Sequence, residues 1–98
     1  MELVHIENEL NDKAKIIRKV FSHDKMDIVT IQLRADEKIA THDAPNTVVI
    51  VVRVGEVIFT VNEMEHTLTS NDVMVIEPFE KHSLSAVSDT EIVLLKAF

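Results

Sequence analysis

Two histidines, His42 and His82, stand forty residues apart, each near one of the two prolines, Pro45 and Pro78. An imidazole can ligate a metal, carry a proton or anchor a polar ligand near neutral pH. His42 lies in Thr41-His42-Asp43-Ala44-Pro45-Asn46-Thr47-Val48. On an extended chain His42 and Ala44 share a face, as do Asn46 and Val48, and Asp43 points away. A metal site built there would draw donors from positions 42, 44 and 48, and only His42 supplies one. His82 follows the turn-like stretch 77–81, Glu-Pro-Phe-Glu-Lys, and must come from another strand. Two imidazoles on neighbouring strands can face each other inside a barrel. Two neutral ligands are fewer than zinc or iron sites ordinarily take. The pair therefore reads first as the polar anchors of a pocket, and second as a reduced metal site completed by water or substrate.

Other side chains join them by pattern. Alternation puts His66 on the face of Leu68, so an inward Leu68 makes His66 a rim residue or third donor. Phe59, Met74 and Phe79 read as core or pocket wall. Ala44 and Val48 dry the pocket, which favours a hydrophobic or aromatic small ligand. Glu77 could charge the His82 imidazole, but reads better as a solvated glutamate at a strand end. Ser83 flanks His82 and points to the opposite face, which argues against a serine nucleophile. His5 and His23 read as surface residues.

The elements that position these groups are strands. The chain has 98 residues, enough for one domain spanning 1–98. Apolar residues make up 46%, mostly Val, Ile and Leu, with one glycine and no cysteine. The lack of cysteine excludes disulfides, zinc–thiolate sites and thiol nucleophiles. Turn residues cluster at 22–25, 54–56, 62–63, 70–72 and 88–90, a spacing that suits an all-β barrel or sandwich. Between them 15–21, 26–33, 48–54, 73–76 and 91–97 read as strands. Val57, Phe59 and Val61 share one face of another. The β-branched run at 48–54 reads as a strand covered on both faces. Residues 2–12 carry only a weak signal, for a short strand or a helical turn.

Charge narrows the partners. A net −7 with ten scattered basic residues argues against nucleic acid. The one basic cluster, Lys13, Lys15, Arg18 and Lys19, reads as a solvated strand face. No signal-like segment opens the chain and no apolar run reaches membrane-spanning length, so a cytoplasmic protein with no membrane partner is expected.

The spacing resembles that of small cupins. Asp36, His42, Ala44, Val48 and Gly55 fall at the five marked positions of that family's first motif, about 36–55. Asn71, Glu77, Phe79, His82 and Ala86 fall at those of the second, about 71–86, with Asp72 and Pro78 also matching. The resemblance covers roughly residues 13–98. It implies an all-β, single-domain double-stranded β-helix, the RmlC-like jelly-roll barrel, and a homodimer. It carries over only two of four metal donors, His42 and His82. The first functional reading is a cupin that binds a small, largely apolar ligand, anchored by His42 and His82, with no cofactor. A second is a metal-dependent dioxygenase or isomerase using Fe, Ni, Mn or Zn at the two histidines. A third is a sensory or interaction module acting through a partner protein, less favoured because the chain carries no DNA-binding segment.

Overall fold

Branched and aromatic residues at alternate positions, separated by polar turns, fold here into nine strands and no helix. The computed structural model describes residues 1–98. The strands are β1 (Lys15–Ser22), β2 (Met26–Leu33), β3 (Lys38–His42), β4 (Thr47–Val54), β5 (Val57–Val61), β6 (Met64–Leu68), β7 (Val73–Ile76), β8 (His82–Ala86) and β9 (Thr90–Ala97). They form two antiparallel sheets, a five-stranded one in the order β1-β2-β9-β4-β7 and a four-stranded one in the order β3-β8-β5-β6. No helix is long and apolar enough to cross a membrane.

The period-two pattern decides what lies between the sheets. Val48, Ile50 and Val52 of β4 point inward, beside Ile92 and Leu94 of β9 and Ile31 and Leu33 of β2. Val57 and Phe59 of β5 meet them from the other sheet, with Leu84 and Ala86 of β8 alongside. Phe59, Leu33, Ile50 and Ile92 are each at most 1% exposed. Burying a side chain of this size contributes about 1.5–3 kcal/mol, so this layer is the chief source of stability.

The expectation that β4 is covered on both faces holds for only one of them. Val49 and Val51 are half-buried and Val54 is exposed, because nothing in the chain packs over the outer side of β4. Residues 2–12 form no strand; a single turn closes there, with Lys13 N–H donating to the Glu9 carbonyl at 3.2 Å. Buried Gln32 holds the segment down. Its amide nitrogen donates to the Glu7 carbonyl (2.8 Å) and to Glu91 (2.9 Å), while Glu9 N–H donates to its oxygen (2.8 Å).

One turn needs its glycine. Gly55 links β4 to β5 with φ +83°, and a Cβ there would sit 2.2 Å from the Asp89 carbonyl oxygen. That oxygen belongs to backbone and cannot swing away. Gly55→Ala adds left-handed strain of about 1–2 kcal/mol to this clash, so we expect a loss above about 2 kcal/mol, read as a lower urea midpoint at unchanged slope.

Candidate functional site

The packed layer fills one end of the barrel and stops short of the other. There a cavity of about 300 Å³ remains between the sheets. Ile31, Ile50, Phe59, Leu84 and Leu94 form its apolar wall. His42, His82, Lys19 and Lys96 are its only polar lining. Two larger grooves, about 500 and 730 Å³, share Thr41, Thr60 and Ser83 on the outer face of the four-stranded sheet. They are open to solvent and contain no histidine, while a third open region, about 350 Å³, is lined by His42 with Thr41, Asp43 and Lys81.

A fault in strand pairing brings His42 into the cavity. Ile39 of β3 pairs with Leu84 and points inward. Strict alternation from Ile39 would turn Thr41 inward and His42 out. The ladder shifts register between Ile39 and His42, so His42 pairs directly with His82 of β8 and shares its inner face. Such bulges re-aim side chains at the price of a local ladder bond. The two rings meet edge to face, with centroids 4.3 Å apart and planes at 60°. His82 lies deep, 4% exposed, while His42 sits at the open mouth.

Backbone carbonyls fix both rings in the same sense. Nδ1 of His42 lies 3.0 Å from the Ala40 carbonyl oxygen, and Nδ1 of His82 lies 2.9 Å from that of Glu80. A carbonyl oxygen only accepts, so each Nδ1 carries the proton and each neutral ring keeps its lone pair on Nε2. Neither Nε2 has a hydrogen-bond partner within the protein. The site thus offers two oriented acceptors at the end of an apolar cavity.

The charged side of the mouth lies on the five-stranded sheet. Lys19 of β1, Asp27 of β2 and Lys96 of β9 sit side by side on its inner face. Lys19 Nζ is 3.3 Å from Asp27 Oδ2, and the Ser22 hydroxyl donates to Oδ1 at 2.7 Å. The Ser22 hydrogen bond, with help from Lys19, holds the Asp27 carboxyl below its ordinary value against the opposing effect of desolvation. No ion pair engages Lys96.

Of the eight residues read from the sequence as pocket lining, His42, His82 and Phe59 line this cavity. Val48 is buried in the core, and Met74 packs against that core. Ala44 falls beyond the end of β3, where alternation no longer applies, and its carbonyl accepts from Phe79 N–H at 2.7 Å. Phe79 is 67% exposed, and its φ of +67° turns the ring out of the barrel. His66 pairs with Phe59 but is exposed, since β6 is an edge strand with no neighbour to close over it. Glu77 is exposed and does not touch His82. The sequence reading also missed Lys19 and Lys96. Lys19 is solvated as expected, its side chain 57% exposed, but it shares the strand face of Ile17 and reaches the rim of the cavity, which was readable from alternation against Val29 and Ile31.

The donor set does not fit a resident metal of the usual kind. No three His, Asp or Glu side chains cluster anywhere in the chain, and two imidazoles fall short of the three or more protein ligands such sites use.

Comparison with known proteins gives the same frame. The family model for the AraC-like ligand binding domain matches residues 26–95. No curated protein matches the chain. Among solved structures, an RmlC-like cupin from Desulfovibrio desulfuricans is similar over 99% of this chain and 96% of its own, at 20% identity and a TM-score of 0.88. An RmlC-like cupin with a double-stranded β-helix fold from Methanocaldococcus jannaschii is similar over 99% and 90%, at 17% identity and 0.85. A salicylate 1,2-dioxygenase from Pseudoaminobacter salicylatoxidans is similar over 74% of this chain but 21% of its own, at 20% identity and 0.72. At these identities the likeness shows a common fold.

The carbonyl contacts make a spectroscopic prediction. Long-range ¹H–¹⁵N correlation spectra above pH 8 should show both His42 and His82 as the Nδ1–H tautomer, where free histidine favours Nε2–H. An Nε2–H pattern at either residue would remove the paired acceptors.

Proposed function

This chain belongs to the family of AraC-like ligand binding domains, and on that premise we propose that it is a non-catalytic cupin that holds a small, largely apolar molecule in its barrel. His42 and His82 serve as the polar anchors. The observation that carries the reading is the cavity itself: eight of its twelve lining residues are hydrophobic, and two imidazoles whose Nδ1 atoms are held by backbone carbonyls line it. Pockets of this size and lining suit ligands with an apolar body and one or two placed polar groups. Shape and dryness supply affinity, and the imidazoles supply orientation.

A phenol tests the division of labour, because its ring suits the wall and its O–H suits an Nε2 acceptor. We expect 1-naphthol to bind and to shift cavity methyl resonances. Each neutral hydrogen bond is worth about 1 kcal/mol, so the His42→Ala, His82→Ala double variant should bind it about tenfold more weakly. Naphthalene, with nothing to donate, should be unaffected. The orientation of both rings by carbonyls is also how metal-bound histidines are held. Metal analysis of protein purified without a tag or chelator therefore decides between readings. Stoichiometric iron, nickel, manganese or zinc that disappears in the double variant would establish the metal-dependent enzyme instead.

The second part of the proposal is a homodimer through the outer face of the five-stranded sheet. Val49, Val51, Val93 and Leu95 form half-buried rows there, flanked by exposed Val73 and Val75 of β7. The outer face of the other sheet carries Thr60, Thr67, Ser83 and Ser85 instead. An apolar sheet face of this kind is self-complementary across a two-fold axis. Sedimentation at micromolar concentration should give twice the 11.1 kDa chain mass, and Val51→Glu should reduce it to the single-chain value. A wild-type protein that sediments as 11.1 kDa refutes the dimer.

A further inference from the structure

We propose that the molecule held in the barrel is an organic carboxylate, with an apolar body seated against Phe59, Ile50 and Leu94 and its carboxylate at the ammonium of Lys96. This rests on the reading of the cavity as an apolar ligand pocket, and it adds the charge of what enters.

Charge distribution carries the argument. The chain has 17 acidic residues against 10 basic ones, for a net −7. Of the twelve residues lining the cavity, none is acidic and two are lysines. The cavity therefore reverses the sign of the protein around it. A mouth of one sign in low-dielectric walls concentrates ligands of the other.

The local count gives the ligand charge. Lys19 and Lys96 flank one carboxylate, Asp27, on the inner face of β1, β2 and β9. Lys19 already pairs with Asp27 at 3.3 Å, and Ser22 occupies its other oxygen at 2.7 Å. Two ammoniums against one carboxylate leave a single positive charge, and Lys96 is the cation without an ion pair. Lys96 is half-buried and lies on the inner face two residues beyond Leu94. Its alkyl stem continues the apolar wall while its head remains at the mouth, the usual disposition of a lysine on apolar surface. On the opposite sheet, the neutral imidazoles present lone pairs, which repel a second negative charge. A monoanion with its charge on the Lys96 side and an apolar or hydroxyl-bearing end toward the histidines satisfies both walls.

Three ligands of one shape test this: 1-naphthoate, 1-naphthamide and 1-(aminomethyl)naphthalene, titrated against the full chain with the methyls of Ile31, Ile50, Leu84 and Leu94 as reporters. We expect naphthoate to bind at least tenfold more tightly than the amide, and the amine most weakly. Lys96→Met should bring naphthoate to within about twofold of the amide, and retention of the dispersed methyl spectrum shows that the variant folds. Added salt should weaken naphthoate alone. Equal binding of acid and amide, or a preference that survives in Lys96→Met, overturns the carboxylate subsite while the apolar pocket stands. If none of the three moves the cavity methyls, the apolar-pocket reading falls and the carboxylate falls with it.

Discussion

The inner faces of the two sheets pack against each other at one end of the barrel only, and the rest of the molecule follows from where that packing stops. Stacked sheets lie about 10 Å apart, a gap that large apolar side chains from both sides can fill. Phe59, Leu33, Ile50, Val52, Val57 and Ile92 do so, and each is at most 2% exposed. Nearer the mouth the inward rows turn polar. β9 goes from Ile92 to Leu94 to Lys96, β2 from Ile31 to Val29 to Asp27, and β8 from Ala86 to Leu84 to His82. The pocket is the continuation of the core by residues that cannot complete it, so its polar groups are held by strands already fixed by the layer beneath.

That dependence explains how the backbone of a ligand site can outlast its customary side chains. Asp36 and Phe79 stand where the cupin motifs ask for glycine, yet both keep the left-handed backbone, with φ of +73° and +67°. Asp tolerates this conformation; a bulky aromatic pays strain of about 1–2 kcal/mol for it. The surrounding hydrogen bonds hold these turns in place. Asp36 N–H donates to the Ala86 carbonyl at 2.8 Å, and Phe79 N–H to that of Ala44 at 2.7 Å. The second bond ties the segment after His42 to the turn before His82. Local preference at Phe79 yields to the closure of the barrel, and the ring is left in solvent.

The same logic sets what could be read in the sequence. Strands β1, β2, β4, β5, β7 and β9 were legible because alternation and β-branching are local signals, and Gly55 and the Asn62-Glu63 turn marked the ends of β4 and β5. The pairing of His42 with His82 was legible from motif spacing. The residues between β3 and β4 were not. Alternation was carried from His42 through Ala44 as though the strand continued, whereas β3 ends at His42 and shifts register just before it. A bulge costs one residue of register and leaves no compositional trace, so it reverses a face assignment silently. His66 shows the complementary limit: its face was read correctly, but exposure depends on β6 being an edge strand, which is a property of topology.

Lys19 and Lys96 show why charge is the least legible quantity in such a chain. Net charge describes how the whole molecule meets solvent and partners, and here it is acidic. A cavity responds to the few charges within about one Debye length, roughly 8–10 Å. Two inward lysines with one inward aspartate between them set a local field opposite to the global one. Lys19 belongs by sequence to a basic run that looks like ordinary solvated surface, and only the pairing of β1 with β2 separates it from Arg18, which points outward beside Thr30. Lys19 thus pairs with Asp27 at the rim of the cavity although its neighbours in sequence belong to the outer surface. Lys96 is harder still, because it follows the apolar run Ile92–Leu95 and a lysine at the end of such a run reads as a solubilising end. The inward face it shares with Leu94 and Ile92 makes it part of the pocket.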